Sequence, residues 1–86
     1  MISEILPSYA RVDIAFERGD GAYLFTGDGK CYLDFASGVA VTALGHSHPR
    51  LVEALTNQAA KLWHCSNLFR IPEQEELAHR LVSNSF

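Results

Sequence analysis

The pair with the widest chemical range in this sequence is His46-x-His48, because two imidazoles at that spacing can share a metal ion. A zinc centre needs three or four ligands, however, and no acidic residue or cysteine stands at a helpful distance; Cys65 is a helix length away. The simpler reading is a turn in which His48-Pro49 begins a helix, and no metal is expected. Ser37 lies in the same stretch and with either histidine could suggest a hydrolase, but the Gly-x-Ser-x-Gly elbow is missing. Gly38 and Gly45 form neither a Gly-x-Gly-x-x-Gly nor a Gly-Lys-Ser/Thr phosphate loop, so they read as bends. The two lysines, Lys30 and Lys61, fall after a hairpin turn and on the polar face of a helix. A Schiff-base lysine must be desolvated to lower its pKa, and neither position offers that. No residue reads as a nucleophile, general base, metal ligand or cofactor holder.

Ser37, Gly38, Gly45, His46 and His48 all lie within one charge-free run, Phe35 to Pro49, between Asp34 and Arg50. Its small apolar residues are those of a buried loop, which must still satisfy its backbone polar groups and therefore serves packing or a site. The elements on either side should position it. Ile2, Ile5, Leu6 and Tyr9 recur at helical spacing but are interrupted by Pro7, which predicts a short helical turn or a packing arm. Alternation of Val12, Ile14 and Phe16 against Arg11, Asp13 and Glu17 predicts a strand over 11–17, ended by a turn at Gly19-Asp20-Gly21. Strands at 22–26 and 31–35 follow, joined through Asp28-Gly29, a hairpin signal because the turn needs positive φ. Beyond the run, Leu51, Val52, Leu55, Ala59, Leu62 and Trp63 make one apolar stripe of a helix from Pro49 to about Trp63. A second helix starts at Pro72, with Glu73, Glu75 and Glu76 suiting its positive end and Leu77, Ala78, Leu81 and Val82 forming its stripe. The fold class is α+β: a three-stranded antiparallel meander, an apolar loop and two helices.

Eighty-six residues with net charge −3, 48% hydrophobic and 20% charged, describe a globular chain rather than a disordered one. No basic patch suggests nucleic acid, and no run is long and apolar enough to suggest a membrane span or a secretory signal. Cys31 and Cys65 are expected as reduced thiols in the cytoplasm. A sheet and two helices could enclose only a modest core, so a fragment, or a chain that relies on a partner copy, is expected.

The segments Gly29-Lys30-x-Tyr32-Leu33-Asp34-Phe35 through Gly45-His46-Ser47-His48-Pro49, and Leu62-Trp63-His64-Cys65-Ser66-Asn67-Leu68-Phe69, resemble the N-terminal part of the class III, fold-type I pyridoxal-phosphate aminotransferases. The Ala-Val-Thr-Ala-Leu-Gly-His run and the Leu-Trp-His-x-Ser-Asn segment resemble its acetylornithine and succinyl-diaminopimelate members. That resemblance implies a small-domain part over 1–48, a connecting helix and interface segment over 49–70, and the start of a large cofactor domain over 71–86. It implies that Gly38, Val39, Ala40, Val41 and Thr42 wall the substrate entrance. Ser66, Asn67, Leu68 and Phe69 would lie near the dimer interface and the active site. It implies a homodimer, cytoplasmic, acting on N-acetylornithine and 2-oxoglutarate in arginine synthesis. Pyridoxal phosphate would be held by residues beyond 86, so the segment alone would be inactive. Val39 and Arg70 stand where ornithine-specific relatives carry substrate-facing tyrosines, which argues against free ornithine. The alternatives are a succinyl-diaminopimelate, ornithine or 4-aminobutyrate member, or a stand-alone dimeric interaction module. Without the rest of an enzyme, Val39, Val41 and Leu44 should be exposed unless a partner copy covers them.

Overall fold

Two tight turns set the topology. Gly21-Ala22 joins the first two strands with Gly21 at φ +58°, and Gly27 to Lys30 joins the second and third with Gly29 at φ +86°. Positive φ is easy for glycine, and short connections close cheaply. In this computed structural model, which describes residues 4–85, β1 (Phe16–Asp20), β2 (Tyr23–Thr26) and β3 (Cys31–Leu33) form an antiparallel sheet in the order β1-β2-β3. The predicted meander is therefore present. Thr26 locks its second turn: its N–H donates to Lys30 O at 3.0 Å, Gly29 N–H donates to Thr26 O at 3.0 Å, and its hydroxyl bonds the Asp28 carboxylate. Phe16 and Tyr32 meet edge to face at 5.6 Å, and the Arg18 guanidinium lies 3.8 Å from the Phe25 ring centre.

The strand boundaries differ from expectation for one reason, the shortness of β2. A strand needs a partner as well as an alternating face. Thr26, the last residue of β2, pairs with Phe16, and the β1–β2 ladder ends at that pair. Ile14 N–H instead folds back onto Val12 O at 2.8 Å. A register shift between Phe16 and Arg18 marks a bulge at Glu17. Gly19 and Asp20, expected in the turn, belong to β1 and pair with Leu24 and Tyr23. At the other end β3 stops at Leu33, opposite Tyr23, so Asp34 and Phe35 leave the ladder. Over 4–10 the chain is a non-helical arm with one tight bond, Ser8 N–H to Leu6 O at 2.8 Å; Ile2 lies outside the described residues.

Three helical segments follow: α1 (Ser37–Ala40), α2 (Pro49–Ala59) and α3 (Pro72–Asn84). Proline opens α2 and α3, where its missing N–H has no partner to lose. α2 ends one turn short of the predicted Trp63. Lys61 and Leu62 N–H both donate to Gln58 O, tightening the last turn, and the Trp63 indole N–H caps Ala59 O at 2.6 Å. The described residues divide into two compact units, one up to Ala54 and the other from Leu55. No described residue is buried, so the modest core is absent and the stripes on α2 and α3 remain open to water. Among the described residues no helix is long and apolar enough to cross a membrane.

Candidate functional site

The charge-free run is not buried, and a short helical segment interrupts the loop. It is built around a helical turn of the wrong hand. Ser37, Gly38, Val39 and Ala40 all have positive φ, between 53° and 64°. Ala40 N–H donates to Ala36 O at 3.0 Å, and Val41 and Thr42 N–H donate to Ser37 O at 2.7 and 3.1 Å. These are helical bonds closed by left-handed residues. The left-handed form costs an L-residue about 1–2 kcal/mol, and a β-branched side chain such as Val39 is among the least suited to it. Val39 is 90% exposed and Val41 74%, so burial does not hold the turn.

Directed polar bonds link the start of this turn to Asp34, and Asp34 to His46. Asp34 Oδ1 accepts the N–H groups of Ala36 at 3.1 Å and Ser37 at 2.9 Å, capping the start of α1. Asp34 Oδ2 lies 2.6 Å from His46 Nε2. An ionised carboxylate only accepts, so Nε2 carries the proton. The two side chains are 9% and 19% exposed, the Asp34 carboxyl being the more enclosed. The Ser37 N–H, with the His46 ring second, holds the Asp34 carboxyl below the ordinary carboxylate range.

Both partners are fixed to the β1–β2 turn through their backbones. Asp34 N–H donates to Ala22 O at 2.8 Å. His46 exchanges two bonds with Gly21, N–H to Gly21 O at 2.8 Å and O from Gly21 N–H at 3.0 Å. Two glycines make that approach possible. A Cβ on Gly19 would stand 2.6 Å from His46 Cβ and Cγ and 3.1 Å from Nδ1. A Cβ on Gly45, at φ +82°, would stand 2.9 Å from Gly21 O. The Nδ1 edge of the His46 ring therefore lies beside Gly19 of β1. A cleft of about 350 Å³ opens between the turn and the hairpin, lined by Asp34, Ser37, Thr42, Leu44 and His46 among others.

The five residues expected to wall an entrance, Gly38 to Thr42, are thus the left-handed turn and its exit. Ser66, Asn67, Leu68 and Phe69 lie in the second unit. There Ser66, at φ +78°, turns the chain, its Oγ accepting Leu68 N–H at 3.2 Å and its carbonyl accepting Phe69 N–H at 3.4 Å. Arg70 then forks onto Glu75 with two bonds of 2.8 Å. That contact raises the guanidinium pKa and lowers the Glu75 carboxyl pKa. Lys30 is solvated, its Nζ 3.9 Å from Asp28, and Lys61 is exposed. Both cysteines are free, Cys31 exposed and Cys65 half-buried. His48 Nδ1 accepts Arg50 N–H at 3.2 Å, and among the described residues no three of His, Cys, Asp and Glu gather as a metal site.

The Asp34–His46 pair has no counterpart in the sequence reading. Its signal was present in two pieces: Asp34-x-x-Ser37, the spacing of a side chain capping a turn, and Gly45 immediately before His46.

Residues 6–86 match the family model of class-III aminotransferases. An acetylornithine aminotransferase of Rhodobacter capsulatus is 58% identical over 86 residues, covering 100% of this chain and 22% of that protein. The crystal structure of N-acetylornithine aminotransferase from Stenotrophomonas maltophilia superposes with a TM-score of 0.79 at 44% identity, over 87% of this chain and 21% of its own. An ornithine aminotransferase from Toxoplasma gondii superposes at 0.81 with 30% identity, over 92% of this chain and 20% of its own. The chain spans about a fifth of the length of the relatives it matches.

Proposed function

The chain belongs to the class-III aminotransferases, and from that premise we propose that it is the N-terminal segment of an N-acetylornithine:2-oxoglutarate aminotransferase. The observation that carries this reading is the 58% identity to an acetylornithine aminotransferase across all 86 residues. The lower identity to the ornithine enzyme supports the choice of substrate, as do Val39 and Arg70, which by the family resemblance stand where ornithine-specific relatives carry tyrosines. On this reading the protein is a cytoplasmic homodimer of arginine synthesis. Residues 1–48 belong to its small domain, 49–70 connect, and 71–86 open its large domain.

Enzymes of this class use pyridoxal phosphate, which supplies the electron sink for amino transfer. The groups of this chain do not fit as its holders. A Schiff-base lysine needs a desolvated amine, whereas Lys30 faces water beside Asp28 and Lys61 is exposed. The cofactor's holders belong, on this reading, to the remainder of the enzyme. The share of this chain is to shape the approach of the substrate with Gly38–Thr42 and to bring Ser66–Phe69 to the dimer interface. The exposed stripe residues Leu55, Leu62 and Trp63 suit surfaces that a larger protein covers.

The test is amino transfer by the full-length gene product. With 2-oxoglutarate as acceptor, kcat/KM for N-acetylornithine should exceed that for ornithine by about tenfold or more. A preference for ornithine, succinyl-diaminopimelate or 4-aminobutyrate would move the assignment to that member of the family. Borohydride reduction of the 86-residue chain with pyridoxal phosphate should leave Lys30 and Lys61 without stoichiometric label. A natural 86-codon gene yielding a stable dimer would favour the interaction module instead.

A further inference from the structure

We propose that Asp34 and His46 are a positioning pair that pins the left-handed turn Ser37–Ala40 to the β1–β2 hairpin and so sets where Gly38–Thr42 stand. Four consecutive left-handed residues, one of them β-branched, persist only where the surroundings over-determine them. Here the surroundings are polar. Asp34 and His46 each bond the Gly21-Ala22 turn through the backbone, and their side chains meet at 2.6 Å, twelve residues apart in sequence. The ends of the run are thereby closed into a ring, and the same carboxylate caps the turn inside it. Exposure of Val39 leaves no packing to do that work. The His46 ring lies against Gly19, so the pair's effect runs through the position of the turn. Its bearing on substrate rests on Gly38–Thr42 being the entrance wall proposed above.

The experiment compares Asp34→Ala, His46→Ala and His46→Gln with the wild type, all as full-length protein. It reads amide exchange at Ala40, Val41 and Thr42, with α3 amides as the folding control, and separates kcat from KM for N-acetylornithine. Glutamine can still donate to Asp34 Oδ2; alanine cannot. The two alanine variants should speed exchange at those three amides about tenfold and raise KM by a similar factor, while kcat stays within about twofold and α3 is unchanged. His46→Gln should restore most of both. Unchanged exchange in the alanine variants would overturn the proposal, as would a His46→Gln variant no better than His46→Ala. If Asp34→Ala loses the α3 control, the two His46 variants decide. A wild type without transfer from N-acetylornithine would sink the function proposed above, and the exchange comparison would still decide whether the pair pins the turn.

Discussion

The hairpin end of the first unit and the helix of the second solve opposite problems. Around Asp34 the chain adopts a backbone that its residues disfavour, and bonds between residues distant in sequence hold it there. In α3 the chain adopts the backbone its residues favour, and the bonds are local: Arg80 to Glu76 at 2.8 Å, and Asn84 Nδ2–H to Arg80 O at 2.9 Å, each four residues apart. The first region spends hydrogen bonds on an unusual shape. The second forms a regular shape whose apolar face is still open to water. The contrast separates what local sequence can build from what requires tertiary contact.

The largest effect should come from filling the glycine approach. Gly45→Ala would place a methyl group 2.9 Å from Gly21 O at φ +82°, and Gly19→Ala would push on His46 at 2.6 Å. Each should destabilise the full-length protein by about 2 kcal/mol or more, read from the denaturant midpoint. A neutral Gly19→Ala would break the comparison, because the hairpin end would then tolerate what only a local structure should.

Acid should act next. The Asp34 carboxyl is held below its ordinary value of 3.8, so as pH falls the unfolded chain takes up the proton first. The contribution of the pair is therefore complete above about 3.8 and is lost as pH falls through the lower folded value. The protection of the Val41 amide, taken relative to its intrinsic exchange rate at each pH, should fall over that acid range, and Asp34→Asn should abolish the acid step.

A smaller effect, of opposite sign, is expected at Val39. Asparagine tolerates the left-handed region, so Val39→Asn should stabilise the turn by about 0.5–1 kcal/mol, read as a raised midpoint. The least effect belongs to the second unit. Arg70 and Glu75 are 84% and 49% exposed, so Arg70→Ala should leave stability unchanged while the Glu75 carboxyl titrates back toward its ordinary value, followed by NMR.

The same contrast explains what was legible in the sequence. Elements set by near neighbours could be read: the Asp28-Gly29 turn, the three strands in order, and the helix opened by Pro72. Features set by distant residues could not. Gly19 looked like a turn residue because glycine serves both for bending and for close approach, and here His46 packs on it. Val12 and Ile14 alternated like a strand, but the β1–β2 ladder ends at the Phe16–Thr26 pair. The left-handed turn gave almost no signal, since Val39 and Ala40 have no preference for it. His46 was weighed as a metal ligand, although its Nε2 is committed to Asp34. The exposure of Val39, Val41 and Leu44 was anticipated, because nothing within the chain was available to cover them.

The reversed hand of Ser37–Ala40 also bears on optical measurements. Circular dichroism is signed by screw sense, so four residues of left-handed turn subtract from the 222 nm ellipticity that α2 and α3 generate. A helix content inverted from such a spectrum will fall below the number of residues that make helical bonds. A substitution that lets the turn relax will deepen the signal, even though no right-handed helix has been added.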